Sequence, residues 1–316
     1  MDVSVIVPAY NSRHTISECL RALQSQNCQH SYEIIVVDDG SNDGTVGVAR
    51  RSIRNIVKQP HCGPAAARNH GAKQAHGSLL LFTDADCTPA PDWITEMVKP
   101  FKDKSVVGVQ GVYKTRQTSL LARFAQLEIE DRYDRMARKK IDFLSTYSAA
   151  YRRSAFLNSG GFDEGFTDSS GEDADLSFRL TGSGSKMVFN TAAAVYHQHP
   201  DTLTKYLRQK YSRAYWRVRL YRKHTGKMIS ESYTPQSLKL QIALFCLLPV
   251  LVIYPIIPHL WTIPTALIFA LSLPLTVKNL RKDVIVGFAT PFLLFLRTAV
   301  FTLGLIAGLL PWRRKR

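Results

Sequence analysis

Cysteine is scarce in this chain and falls in no pairing pattern: Cys19, Cys28, Cys62, Cys87 and Cys246 are an odd number, and no two stand as Cys-x-x-Cys. That argues against a zinc site or a disulfide framework and points to a reducing compartment. No Gly-x-Gly-x-x-Gly occurs, so the glycine-loop dinucleotide fingerprint is missing. No signal peptide is read at the start, because Met1-Asp2 leads straight into the strand-like Val3-Ser-Val-Ile-Val7. Acids are few against bases, 25 against 41, and the formal charge of +16 over 316 residues demands an anionic partner such as nucleic acid, a membrane surface or a phosphorylated substrate. Acids are missing altogether between Thr202 and Ser230, where Lys205, Arg208, Lys210, Arg213, Arg217, Arg219, Arg222, Lys223 and Lys227 fall. Standing directly before a long apolar region, residues 202–230 read as a basic juxtamembrane helix, and nucleic acid is not an expected partner.

What is present opens with a strand pattern, Val3 to Val7, then Pro8-Ala-Tyr-Asn11 and a helical stretch through about Gln26. A second apolar strand, Glu33 to Val37, runs into the polar turn Asp38-Asp-Gly-Ser-Asn-Asp-Gly44 and a helix from Thr45. A short strand near Asn55 to Lys58 precedes Gly63-Pro64, which opens a helix where proline is tolerated; Gly77 then reads as its C-cap. Strand and helix alternating at this spacing predict an α/β domain built on a doubly wound, mostly parallel sheet, with ligand loops after each strand.

The stretch that organises the rest is Gly77-Ser-Leu-Leu-Leu-Phe-Thr-Asp-Ala-Asp-Cys87. Its apolar run has no polar alternation, as expected of a central strand buried on both faces. Asp84 and Asp86, spaced i, i+2, would share a face where that strand gives out, and two acids there suit a divalent metal carrying a phosphate. Alone, such a pair is equally at home in a solvated turn, and Asp38-Asp39-Gly40-Ser41 has a turn-and-cap reading of its own.

Six ordered motifs lift these readings above that background. Val3 to Asn11, Ile34 to Thr45, Gly63-Pro-Ala-Ala-Ala-Arg-Asn-His-Gly71, Thr83-Asp-Ala-Asp86, Gly160-Gly-Phe-Asp-Glu164 and Gly171-Glu-Asp-Ala-Asp-Leu-Ser-Phe-Arg-Leu180 resemble those of the family-2 glycosyltransferases. The resemblance covers roughly residues 1–225. It implies a GT-A fold, a nucleotide-sugar donor (UDP before GDP), Mn²⁺ or Mg²⁺, and inversion at the anomeric carbon. Carried over by residue, Pro8, Ala9, Tyr10 and Asp39 would hold the base, Arg68 would lie near the nucleotide, Asp84 would contact ribose or sugar, and Asp86 would ligate the metal. The family's histidine after the last sheet strand suggests His197, with His199 as second choice; imidazole suits Mn²⁺ better than Mg²⁺. Asp173 is the candidate general base, in the first turn of a helix whose dipole would keep it ionised. Glu172 and Asp175 read as ordinary first-turn acids.

Two departures bear on the acceptor. Many relatives carry Gly-Asn before the Arg-Arg pair, where this chain has Thr146-Tyr-Ser-Ala-Ala-Tyr-Arg-Arg153, and the Gln-x-x-Arg-Trp signature of processive synthases is absent. A single sugar addition to a lipid-linked or polysaccharide acceptor, in envelope, exopolysaccharide or glycolipid synthesis, is the expected reaction. A polyprenyl-phosphate sugar synthase and an inactive nucleotide- or lipid-binding relative are the alternatives.

Residues 235–316 read as a membrane domain with spans near 238–257 and 260–277. A third apolar segment, 284–310, contains Pro291 and Arg297 and reads as a span or as a re-entrant or interfacial piece broken near Pro291. Positive-inside bias would keep Trp312-Arg-Arg-Lys-Arg316 in the cytosol with Lys278, Arg281 and Lys282. Arg213 and Arg297 are the candidates for contact with the phosphate of a lipid-linked acceptor. The expected location is the inner membrane, multi-pass, with the catalytic domain in the cytoplasm.

Overall fold

The computed structural model describes residues 1–137, 141–166, 170–229, 231–232, 234–253 and 259–310. The chain divides into two compact units, Met1–Arg116 with Met136–Gln198, and Gln117–Arg135 with His199–Arg316.

The first unit is built on one eight-stranded sheet in the order β3-β2-β1-β4-β7-β6-β8-β5. Its strands are β1 (Val3–Ala9), β2 (Tyr32–Asp38), β3 (Ile56–Lys58), β4 (Leu79–Phe82), β5 (Cys87–Pro89), β6 (Val106–Lys114), β7 (Ala149–Arg152) and β8 (Lys186–His197). The expected parallel half is present: β1 pairs in parallel with both β2 and β4, and β2 with β3. Beyond β4 the sheet turns mixed, since β7 runs antiparallel to β4 and β6, β8 parallel to β6, and β5 antiparallel to β8. The antiparallel joins bring Asp86, next to β5, alongside the end of β8, where Cys87 and His197 are register partners.

Among the described residues, six helices follow strands of the first unit or flank its site: α1 (Ile16–Gln24), α2 (Thr45–Ala49), α3 (Pro64–Gln74), α4 (Trp93–Val98), and, after α5 (Leu120–Met136), α6 (Arg153–Asn158) and α7 (Glu172–Gly182). In α1 the buried positions Ile16, Cys19, Leu20 and Leu23 recur at the spacing of one helical face. The expected role of Gly77 as a C-cap is corrected: α3 ends at Ala75 in an extended conformation, and a Cβ at Gly77 would stand 2.5 Å from the Ser4 amide nitrogen. Glycine is required there because β1 runs against it, and its N–H donates to Ser4 Oγ at 2.8 Å.

The second unit gathers α5 with α8 (Leu203–Lys223), α9 (Gln236–Ile253), α10 (Thr262–Ala270), α11 (Leu273–Lys282) and α12 (Val284–Leu309). The division therefore differs from a boundary near residue 225. Phe124 of α5 and Tyr206 of α8 share one buried cluster with Val286, Leu293 and Leu294 of α12, so hydrophobic packing draws α5 and α8 to the apolar helices. Among the described residues, three helices are long and apolar enough to cross a membrane: Gln236–Ile253, Thr262–Lys282 and Val284–Leu309. The expected break near Pro291 is corrected, because α12 runs 26 residues without interruption. Packing of Leu293 and Leu294 below the proline and the Asn279 Nδ2 to Thr290 Oγ1 bond of 2.9 Å above it hold the helix on both sides of the lost N–H. The end of the expected first span at 254–257, the turn at Pro258 and the basic cluster 312–316 lie outside the described residues.

Candidate active site

The carboxyl ends of β1, β2 and β4 carry the residues singled out in the sequence. Pro8 and Ala9 close β1, and the Asp39 amide donates to the Ala9 carbonyl at 2.9 Å, locking the ends of β1 and β2 together. The Asp39 carboxylate is buried and fully engaged. It accepts from Gln59 Nε2 at 2.8 Å and from the amides of Cys62 and Gly63, each at 2.9 Å, and His61 Nδ1 lies 2.9 Å from Oδ2. Asp39 thus shapes the 59–63 loop and does not present open acceptors. Tyr10 is exposed and stacks on His61, with ring centroids 4.0 Å apart and planes 21° apart. His61 was not legible as a site residue, since only the fold of its loop brings it onto Tyr10.

Arg68, on α3, is buried between two acids. Its Nη2 reaches Asp84 Oδ1 at 2.8 Å and its Nη1 reaches Glu172 Oε1 at 2.9 Å. Glu172, read in sequence as an ordinary first-turn acid, is corrected: it is buried, and it carries the ion-pair chain from β4 to the start of α7. Burial, then the neighbouring Asp173 charge, push its carboxyl up to about 8 in spite of Arg68. The signal available in sequence was the run Glu172-Asp-Ala-Asp175, where placing three acids in one turn makes it unfavourable for all to ionise. Asp173 is half-buried at the N-terminus of α7, its Oδ1 accepting from the Ala174 amide at 2.8 Å. Asp175 pairs with Arg179 at 2.9 Å, and Arg179 also donates to the carbonyls of Ser159 and Gly161, so this acid anchors the Gly160-Gly161 turn.

Asp86 is 46% exposed, and His197 Nε2 lies 3.4 Å from its Oδ2. Burial raises the Asp86 carboxyl, but the hydrogen bond and charge of His197 outweigh it and hold the group below its ordinary range. The His197 ring is positioned by a column of aromatics: it stacks on Tyr113 at 4.5 Å, and Tyr113 stacks on Tyr147 at 3.4 Å. Tyr147 belongs to the 146–153 stretch that departs from the family pattern, so that stretch reaches the His197 ring through Tyr113. Of the two histidine candidates, the structure brings His197 to Asp86. His199 belongs to the second unit, buried, with Nε2 2.8 Å from Gln126 Oε1.

Asp84, Asp86 and Cys87 offer ligand atoms within 4.8 Å of one another. The buried Cys87 thiol is pushed well up, by burial first and by the Asp86 and Asp84 charges next, so it stays protonated and is no ligand for a hard cation. One Asp84 oxygen is committed to Arg68. The donor set that remains, Asp86 carboxylate with His197 imidazole, fits Mn²⁺ and tolerates Mg²⁺.

Arg297 does not have the environment expected of a lipid-phosphate contact. It is buried in the second unit, with Nη1 3.0 Å from Glu128 Oε1 and Nη2 3.2 Å from Gln241 Oε1. Glu128 also takes Lys210 Nζ at 2.7 Å and the Tyr206 hydroxyl at 3.1 Å. A guanidinium on an apolar helix is costly unless partnered, and here the partner is a carboxylate brought by α5. Arg213 is half-buried on α8, where its charge acts on Lys210.

Sheet order and site together define the GT-A class of fold, and the comparisons agree. Residues 4–159 match the model of Glycosyl transferase family 2, so the chain carries a domain of that family. It is 39% identical over 116 residues to Glycosyltransferase AglE of Haloferax volcanii, covering 34% of this chain and 38% of that protein. It is 31% identical over 222 residues to the Pre-mycofactocin glycosyltransferase of Mycobacterium tuberculosis, covering 66% of this chain and 45% of that one. The chain thus spans less than half the length of these curated relatives. Among solved structures, the mannosyltransferase PcManGT of Pyrobaculum calidifontis, in complex with GDP-Man and Mn²⁺, aligns over 98% of this chain and 87% of its own, with TM-score 0.65 and 21% identity. Glucosyl-3-phosphoglycerate synthase of Mycobacterium tuberculosis, with Mn²⁺, UDP-glucose and phosphoglyceric acid, aligns over 70% and 78%, with TM-score 0.51 and 16% identity.

Proposed function

We propose that the protein transfers a sugar from a nucleoside-diphosphate sugar to a hydroxyl of a lipid-linked acceptor, with inversion at the anomeric carbon, in the synthesis of an envelope glycan or glycolipid. The observation that carries this reading is the gathering, at one sheet edge, of Asp86 with His197, the Asp84–Arg68–Glu172 chain and Asp173. The exposed Tyr10 ring on His61 offers a face for the base, and Asp39 serves it through the loop that it holds. Pro8 and Ala9 form the floor at the end of β1. UDP is preferred to GDP as the carrier on the family resemblance alone; the solved relatives include proteins bound to either.

Asp86 and His197 would hold Mn²⁺ or Mg²⁺, which supplies positive charge for the diphosphate as it departs. Arg68 keeps Asp84 fixed towards the donor, so that Asp84 is oriented before any sugar arrives. The acceptor oxygen attacks the anomeric carbon while Asp173 takes the hydroxyl proton; the bond from that carbon to the diphosphate oxygen breaks, and the nucleoside diphosphate leaves with the electron pair. The partly exposed carboxylate at a helix N-terminus is suited to remain ionised for that task. In this reading the enzyme works at the cell membrane, for which the apolar helices are the support, from the cytoplasmic side where nucleotide sugars are made.

Asp173→Asn tests the reading, because the amide keeps the shape and loses the base. Turnover, measured as radiolabelled sugar moved into lipid extract, should fall by roughly 10²- to 10⁴-fold with donor affinity nearly unchanged. Near-normal turnover would remove Asp173 from the role and favour a phosphate acceptor, from which no proton need be taken.

A further inference from the structure

Length and composition allow α12 to cross a bilayer, but its neighbour does not. We propose that α12 lies in the plane of one lipid leaflet, its outer stripe in the acyl boundary, and that the second unit is seated on an anionic membrane from one side.

Helices α8 and α12 are paired along most of their length. Tyr206 shares a cluster with Leu293 and Leu294; Lys210 and Arg297 meet on Glu128; a Cβ at Gly304 would stand 2.5 Å from the Tyr211 carbonyl oxygen and one at Gly308 2.6 Å from that of Tyr215. At the end, Arg222 Nη2 donates to the Leu309 carbonyl at 3.2 Å. As α12 advances from Leu293 to Leu309, α8 advances from Tyr206 to Arg222, so the two helices run side by side in the same direction. The glycines at i, i+4 allow the backbones to close without a side chain between them. Wherever α12 goes, α8 goes too.

Helix α8 cannot go through hydrocarbon. Its 21 residues carry no acid. Lys210 is spent on Glu128 and Arg217 on Glu231, while Lys205, Arg208, Arg222 and Lys223 stay exposed. Exposed charges at the bilayer centre are each strongly unfavourable. Lying along a leaflet, they meet anionic headgroups favourably. Both ends of α12 confirm a wet setting. At its start Arg123 pairs with Asp283 at 2.5 Å, and Lys282 of α11 with Glu130 at 2.6 Å; at its finish stand the exposed Arg222 and Lys223. Between these ends the exposed residues of α12 include one stripe at three- and four-residue spacing, Ile285, Phe288, Phe292, Leu296, Leu303 and Ile306, while the opposite face is packed on protein. That one-sided apolar exposure is the form of an interfacial helix.

Gln241, in the first turns of α9, bonds to the Ile268 carbonyl of α10 at 3.1 Å and receives Arg297 of α12 at 3.2 Å, so α9 and α10 both meet at the middle of α12.

The test uses the full chain with exposed or half-buried Cys28, Cys62 and Cys246 changed to Ser and buried Cys19 and Cys87 kept, reconstituted in sealed phosphatidylcholine–phosphatidylglycerol liposomes. Single cysteines replace Lys223, Lys282 and Leu310 for labelling with an impermeant maleimide, and Phe288, Phe292, Leu303 and Ile306 for nitroxide depth measurement. Cysteines at 282 and 310 should label from the same side as 223, and all four nitroxides should report one shallow depth, about 5–10 Å below the headgroups. Labelling of 282 and 310 from opposite sides, or a depth profile that passes through the bilayer centre along α12, overturns the proposal. Neither readout depends on catalysis, so failure of the sugar-transfer reading leaves this one standing.

Discussion

Each unit buries an ionic cluster, and the two are built with opposite excess. Around Arg68 the acids outnumber the base: Asp84 and Glu172 contact it directly, and Asp173 acts on it from the next position. Around Glu128 the bases outnumber the acid, Lys210 and Arg297 both resting on one carboxylate. The first cluster stands beside Asp86, which is nearly half exposed, so its surplus negative charge can be met by a cation from solution. The second has its partners at 6–10% side-chain exposure and satisfies itself. Similar residues therefore serve a site in one unit and hold helices together in the other, and what separates them is the sign left over and the access of solvent to it. A buried pair is weak evidence of net stability, but removing one member leaves a charge without compensation.

The solvent-open cluster should give the largest effect. Asp86→Ala should abolish the Mn²⁺ dependence of nucleoside-diphosphate binding in calorimetry. Because the side chain is so exposed, the unfolding free energy should move by less than about 0.5 kcal/mol. Equal metal dependence in the variant and the parent would remove Asp86 from the ligand set.

Next come the two arginines. Arg68→Met removes the cation that holds both Asp84 and the buried Glu172, at a cost of about 3–5 kcal/mol in denaturant unfolding, with loss of transfer activity. Arg297→Met leaves Glu128 still paired with Lys210 at 2.7 Å, so the loss is that of one charged hydrogen bond, about 1.5–3 kcal/mol. A larger cost for Arg297→Met than for Arg68→Met would show that the second cluster is not doubly held.

The smallest effect is in pH dependence, where the two clusters should slope in opposite senses. Glu172 rises from 4.5 to about 8, so the folded state keeps a proton that the unfolded chain has released, and stability falls as pH rises between those values. Lys210 is lowered from 10.5 to about 7 by burial, only partly offset by Glu128, so the unfolded chain binds the extra proton and stability rises from about pH 7 towards 10.5. Each group contributes at most about 1.4 kcal/mol per pH unit. Glu172→Gln should flatten the falling limb of an unfolding profile and Lys210→Met the rising limb; unchanged slopes would mean that these groups titrate as in the unfolded chain.

The sequence by itself determined the parallel half of the sheet, because β1, β2 and β4 are apolar runs ending in polar clusters and such runs fit only strands buried on both faces. It also marked Asp84 and Asp86, though both stand past the end of β4 in the turn before β5 and not on one strand face, and it marked three apolar helical stretches. Tertiary structure alone decided the rest. Glu172 was unreadable as Arg68's partner because the two are 104 residues apart and meet only through the sheet order. Asp39 was legible as a strand-end acid, but not as one spent on the amides of a loop more than 20 residues away. His197 could not be separated from His199 by spacing; β8 pairing with β5 carries the first to Asp86, whereas the second falls to the other unit. Arg297 was visible as a charge in an apolar helix, but its carboxylate is 169 residues away on a helix that belongs with the apolar helices only by packing. Local pattern fixes which face a residue presents; the identity of what meets that face is a long-range contact, chosen by how the whole chain buries its apolar surface and pairs the charges it takes along.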